Sequence, residues 1–205
     1  MIDKEKYLGD PCKSSSLPYW KEKRVIVPQN MEVIHKDSFE PTSKFKKVEY
    51  FFKLIHKLKT IPKRPRNIQK IDLSNDLEEL VDMINKSYHH ENIFVSKEDI
   101  DKWLSAEICK PFIGLKIVSD GKIIASGIAC CDDEVKEGII DWVQVLPEYR
   151  KQGFGKKIID GLLYELSKIA NFVIVSGSIG NKTNPEKIYK SCGFEGNDIW
   201  FVCYK

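Results

Sequence analysis

Apolar positions along this chain recur with two spacings, and the switches between them divide it into elements. Phe154, Ile158, Ile159, Leu162, Leu163, Leu166 and Ile169 fall on one face of a helix over 154–170. Just before it, Ile139 to Val145 is a short apolar run, which predicts a strand. Phe112 to Ser119 and Lys122 to Cys131 are two more, separated by Asp120-Gly121, a pair suited to a two-residue hairpin. Phe172 to Val175 and Ile199 to Tyr204 read as strands, with a short helix from Pro185 to Ser191 between them. Upstream, Ile68 to Leu73 predicts a strand. Ser74 or Asn75 then caps a helix running through Ile84, with Asp76, Glu78 and Glu79 in its first turn, where the helix dipole favours them. Ser96-Lys-Glu-Asp99 resembles a capping box and opens a helix through Trp103 and Leu104.

The first third reads differently. Residues 1–41 hold four prolines and little periodicity, but Leu17-Pro-Tyr-Trp20 and Val25-Ile-Val27 are apolar. They predict an extended arm whose aromatics pack on the rest. Over 42–59, Phe45, Val48, Phe51, Phe52, Ile55 and Leu58 make a helical stripe. Pro62-Lys-Arg-Pro65-Arg66 ends it as a linker. The expected organisation is an N-terminal arm and amphipathic helix over 1–65, then an α/β domain over 66–205 with a mixed, mainly antiparallel sheet flanked by helices.

Composition narrows the classes. With 205 residues the chain can bury one good core. Neither a membrane-spanning apolar run nor a signal-peptide core is visible, so a cytoplasmic protein is expected. Six scattered cysteines without Cys-x-x-Cys predict reduced thiols, and the four histidines are not at metal-ligand spacing with them, so no metal is expected. The +3 net charge hides an asymmetry: residues 1–70 carry 17 Lys+Arg against 8 Asp+Glu, and residues 71–205 carry 16 against 22.

The chemistry concentrates in Val145-Leu-Pro-Glu-Tyr-Arg150-Lys-Gln-Gly153-Phe-Gly155-Lys156. A strand, a glycine loop and a helix N-terminus aim backbone N–H groups at a phosphate. A Rossmann loop fits less well, because the third glycine of Gly-x-Gly-x-x-Gly is Ile158 here. The segment resembles the acyl-CoA loop of the GCN5-related N-acetyltransferases, Val-x-Pro-x-x-Arg/Gln-x-x-Gly-x-Gly. Asn184-Pro-Glu-Lys-Ile-Tyr189-Lys-Ser-Cys-Gly193-Phe194 resembles that family's closing Asn…Tyr-x-x-x-Gly-Phe segment. The resemblance covers about residues 66–205.

The resemblance implies acetyl-CoA as cosubstrate and an amine as acceptor. Pyrophosphate would meet the N–H groups of Gln152, Gly153, Phe154, Gly155 and Lys156, in the positive field of Arg150, Lys151, Lys156 and Lys157. Pantetheine would add along the strand at Val143 and Val145, with the Val145 N–H polarising the acetyl carbonyl. Tyr189 would protonate the leaving thiolate. Asn184 is a cofactor contact or simply a helix cap, with Asn181 as the alternative match. Asp141 would help deprotonate the acceptor, with Glu134 and Glu137 as competitors; it shares a face with Val143 and Val145 unless a bulge intervenes. His89-His90-Glu91 follows the first helix, where acceptor contacts or a plain surface pair are both open.

The implied activity is direct acetyl transfer to a small or cationic amine. Two other readings stay open: a catalytically silent acyl-CoA-binding module, and a modifier of RNA-associated or protein amines docked by the basic arm. Nucleic-acid contact is the minority reading, because the apolar stripe over 42–59 packs on something and leaves its lysines as a solvated face. Monomer and homodimer are both open.

Overall fold

The structure is a computed structural model that describes residues 3–15, 30–105 and 110–205, without the side chains of 103–105. The arm segments Leu17–Trp20 and Val25–Val27 lie outside the described residues. The elements are α1 (Lys4–Gly9), α2 (Pro11–Ser14), β1 (Met31–His35), β2 (Lys47–His56), β3 (Gln69–Lys70), α3 (Leu73–Tyr88), α4 (Lys97–Ser105), β4 (Phe112–Ser119), β5 (Lys122–Asp132), β6 (Glu137–Val145), α5 (Phe154–Leu166), β7 (Phe172–Ser178), α6 (Pro185–Ser191) and β8 (Glu195–Tyr204). The expected class is observed: an α/β fold with a mixed, mainly antiparallel sheet and flanking helices. The chain divides into two compact units, residues 57–173 and residues 1–56 with 174–205.

In the first of these units the strand order is β6-β5-β4-β3. Asp120 and Gly121 both have positive φ, as a primed hairpin turn demands, so β4 and β5 pair antiparallel around them. Strand alternation sends successive β5 residues to opposite faces. A Cβ on Gly127 would meet Ile158 and Leu162 of α5, whereas Ile128 packs with Leu80 and Ile84 of α3 and Ile100 of α4. Leu162, Leu163 and Leu166 on α5 are fully buried, as their spacing predicts. The capping box at α4 is reciprocal: Asp99 N–H donates to Ser96 Oγ at 3.2 Å, and Ser96 N–H donates to Asp99 Oδ2 at 3.0 Å. The cap of α3 is Asp72, not Ser74 or Asn75; its carboxylate accepts from Ser74 N–H at 3.0 Å.

In the other unit the order is β1-β8-β2-β7. The expected helix over 42–59 is corrected here. Residues 47–56 form β2, which pairs antiparallel with β8, Tyr50 opposite Phe201 and Phe52 opposite Ile199. A β-branched and aromatic run satisfies both periods when it is buried on both sides, and the partner strand decides between them. Phe52, Lys53 and Leu54 are indeed consecutive and buried. The Lys53 ammonium is fully enclosed, donating to Pro11 C=O at 3.1 Å and Ser15 C=O at 2.7 Å, so it holds the end of α2. Trp200 Nε1–H donates to Cys12 C=O at 2.9 Å.

The thiol expectation does not hold at Cys130. Cys130 is disulfide-bonded, while Cys12, Cys131, Cys192 and Cys203 are free thiols.

Candidate functional site

Strand β6 leads through Leu146 and a 3-10 turn, Pro147–Tyr149, to Arg150 and then to α5. Gly153 caps that helix in the left-handed region, φ 84°, with open space where a Cβ would lie. Its role is therefore conformational. The first bond inside the helix is Lys157 N–H to Gly153 C=O at 3.1 Å. The N–H groups of Phe154, Gly155 and Lys156 therefore lie in the first turn, where an α-helix supplies no acceptor, and they point out of its N-terminus. The Gln152 amide folds back on Glu148 C=O at 3.3 Å. Lys156 pairs with Asp160 at 2.7 Å along the helix, and Lys157 lies over the Phe154 ring. Lys151, exposed with φ 60°, sits in the loop itself.

The register of β6 fixes where its backbone points. Val145 lies opposite Ala125 and Val143 opposite Gly127, while Leu146 N–H donates to Ile124 C=O. In an antiparallel ladder hydrogen-bonded pairs alternate, so Val143 and Val145 turn both N–H and C=O away from β5. Two side chains meet those carbonyls. Tyr88 at the end of α3 donates its hydroxyl to Val143 C=O at 3.1 Å, and Arg150 donates Nε to Val145 C=O at 3.2 Å. The other arm of the guanidinium, Nη2, donates to Ser87 C=O at 2.6 Å. A cation on the last turn of α3 suits the negative end of the helix dipole. Arg150 thus ties α3 to the end of β6 instead of turning its guanidinium toward the N-terminus of α5.

Burial, then the charge of Glu91, pushes the Tyr88 phenol up to about 12, with Arg150 pulling the other way. Tyr88 is therefore a standing donor at neutral pH. Its ring meets Trp142 edge-on at 5.1 Å. Gln144, between the two valines, faces α3: its amide donates to Ser126 Oγ, which lies 3.4 Å from Met83 Sδ.

The register of β6 slips between Ile140 and Trp142, leaving Asp141 as an exposed bulge residue. Alternation does not carry it onto the face of Val143 and Val145. Glu137 is fully buried. Asn184 caps α6, its carbonyl accepting from Lys187 N–H at 3.4 Å with Pro185 at the first helical position. Asn181 instead accepts from Thr183. Tyr189 is buried on α6 against Phe52 and Phe194, its ring 5.5 Å from the latter. Sequence reasoning missed Ser87, Tyr88 and Gln144. Ser87 and Tyr88 close α3 and Gln144 lies within β6, and no local motif marks any of them. Among the described residues no group of three His, Cys, Asp or Glu side chains could hold a metal ion.

Residues 113–196 match the acetyltransferase (GNAT) domain model, a span holding both sequence motifs. Among solved structures, a protein assigned to the GNAT acetyltransferases from Novosphingobium aromaticivorans superposes with TM-score 0.62 at 14% identity, covering 86% of this chain and 67% of that one. The ribosomal-protein-S18-alanine N-acetyltransferase from Escherichia coli gives 0.54 at 17%, covering 67% and 91%. An aminoglycoside 6'-N-acetyltransferase complexed with coenzyme A gives 0.51 at 13%, covering 66% and 94%. Some neighbours are longer proteins, of which this chain spans as little as 52%. No curated protein sequence matches the chain. The resemblance to the GCN5-related N-acetyltransferases therefore holds, in the matched domain segment and in the fold.

Proposed function

We propose that this protein transfers an acetyl group from acetyl-CoA directly to an amine. The observation that carries the reading is the junction of β6 and α5. A left-handed Gly153 starts a helix whose first N–H groups point outward, at the end of a strand where Val143 and Val145 turn their backbone away from β5. That set of donors fits a pyrophosphate followed by an amide-bearing arm. In this reading Gln152, Gly153, Phe154, Gly155 and Lys156 hold the phosphates with Lys151 nearby, and Val143 and Val145 hold the pantetheine. Arg150 orders the end of β6. Asn184 holds α6 in place rather than touching the cofactor.

The neutral amine nitrogen attacks the thioester carbonyl carbon; a C–N bond forms and the C–S bond breaks. The Val145 N–H stabilises charge on the carbonyl oxygen. The thiolate takes a proton from the Tyr189 hydroxyl, which regains one from solvent, and the nitrogen gives up its extra proton to water or to the exposed Asp141. Starting from the ammonium form, the products are an amide, CoA and one proton. The acidic balance of residues 71–205 favours a cationic acceptor.

The test is calorimetric titration of acetyl-CoA, followed by a primary-amine panel scored for CoA release. Wild-type protein should bind, and Gly155→Val, crowding the first turn of α5, should weaken binding at least tenfold with an unchanged circular dichroism spectrum. Absence of wild-type binding at about 1 mM acetyl-CoA, roughly 4 kcal/mol of affinity, refutes the reading.

A further inference from the structure

An arm that adds along a strand needs the C=O groups which that strand turns outward. On β6, Val143 and Val145 turn theirs away from β5, and both are already taken. The Tyr88 hydroxyl donates to Val143 C=O at 3.1 Å, and Arg150 Nε donates to Val145 C=O at 3.2 Å. Both bonds start from the end of α3, because Arg150 Nη2 also donates to Ser87 C=O at 2.6 Å and Ser87 precedes Tyr88. The chain of bonds closes on itself, from β6 through Tyr88, Ser87 and Arg150 back to β6.

A donor 3.1 Å from an oxygen that points away from β5 stands on that same side of the strand. The phenol therefore stands where an N–H of an added arm would stand. Packing holds it there: Tyr88 and Trp142 both lie against the buried cluster that includes Leu80, Ile84 and Ile128, and the two rings meet edge-on at 5.1 Å. Arg150 is anchored differently. Its Nη2 keeps the Ser87 carbonyl when Nε turns away, so its charge stays at the end of α3. A carbonyl oxygen has two lone pairs. An arriving arm either shares the oxygen with the phenol or displaces it, and removing the phenol tells the two apart. Under sharing, its loss leaves arm binding unchanged or weaker; under displacement, its loss makes arm binding tighter.

We propose that Tyr88 is a latch on the end of β6: its hydroxyl holds the Val143 carbonyl in the free protein and yields it to an amide N–H of the pantetheine arm, while Arg150 Nε releases Val145. The inference rests on the acetyl-CoA reading and adds to it a residue that sets the affinity for the arm. Tyr88 thus stabilises the free protein at the expense of cofactor binding. The latch opposes only ligands that carry the arm, since a bare pyrophosphate meets the α5 N-terminus and not the two carbonyls. Its release also detaches the last turn of α3 from β6.

The experiment measures binding, so that it does not depend on turnover. Acetyl-CoA and adenosine diphosphate, which has the pyrophosphate but no arm, are titrated calorimetrically into full-length wild type and Tyr88→Phe. Tyr88→Phe should bind acetyl-CoA about threefold to tenfold more tightly, the net worth of one competing hydrogen bond. Adenosine diphosphate should bind both proteins alike. Tyr204→Phe, which loses a hydroxyl bonded to Glu49 at 2.7 Å, should bind acetyl-CoA as wild type does. Hydrogen exchange of wild type supplies a second measurement that needs no variant to fold: acetyl-CoA should speed exchange over residues 86–92. Equal or weaker acetyl-CoA binding by Tyr88→Phe overturns the latch, as does the same tightening for adenosine diphosphate, or exchange over 86–92 that slows or stays unchanged. Any of these beside intact wild-type binding of acetyl-CoA leaves the acetyltransferase reading standing. No binding of acetyl-CoA by either protein removes that reading and the latch with it.

Discussion

The Tyr88 hydroxyl shows how much one donor can hold. It satisfies the Val143 carbonyl, which is turned away from β5, and its pKa of about 12 keeps the proton in place. Tyr88→Phe leaves that carbonyl unpaired and should cost about 1–3 kcal/mol, read from the urea midpoint. The pH dependence has a definite sign. The folded pKa lies above the ordinary 10.0, so the folded state holds this proton more tightly. The stabilisation is complete below about pH 10 and is lost as pH rises toward 12. Ultraviolet difference titration of wild type against Tyr88→Phe should show one phenol ionising late; a difference centred near 10 would count against it. Tyr189 makes the contrasting case, because its ring packs against Phe52 and Phe194. Tyr189→Phe keeps that packing, so turnover should fall roughly 100-fold while acetyl-CoA affinity stays. Wild-type turnover would return Tyr189 to a packing role. Gly153→Ala meets open space but a φ of 84°, so it should destabilise by about 1 kcal/mol through backbone strain alone.

At the scale of elements, the short helix α2 depends on a single buried cation. Four residues cannot hold a helix in water by themselves. Lys53, fully enclosed, takes the carbonyls of Pro11 and Ser15, and Trp200 takes that of Cys12. Lys53→Met keeps most of the volume but leaves two buried carbonyls without these donors. Residues 3–15 should then become the first site of limited proteolysis, before the rest of the chain is cut. An unchanged digestion pattern would show that Tyr7 and Cys12, both buried, hold the segment through apolar contact alone. The strand β2 teaches the related lesson for sequence reading. Its stripe over 45–58 fits a helix, yet Phe52, Lys53 and Leu54 are buried in succession because both faces of the strand are covered. The α5 face, the Asp120-Gly121 hairpin and the bounds of α6 were legible because a single local rule governs each.

For the whole molecule, residues 1–56 fold together with 174–205, ends that the sequence separates by more than a hundred positions. Strand β8 lies between β1 and β2. A fragment of residues 66–205 therefore loses both partners of β8 and exposes two unpaired strand edges, which template aggregation. It should be poorly soluble and lack a cooperative melting transition, measured by light scattering and calorimetry. A fragment as soluble and heat-stable as the full chain would make residues 1–65 an independent appendage. The sequence by itself determined the local elements and the strand–glycine loop–helix junction, because hydrophobic period, turn chemistry and capping act over a few neighbouring residues. It also pointed to the acetyltransferase resemblance through two short motifs. Only the tertiary structure decided that 47–56 is a strand, that Arg150 turns to Ser87 and that Asp141 sits in a bulge. Each of those depends on a partner remote in sequence, and pairing and burial between distant segments outweigh what a local pattern can specify.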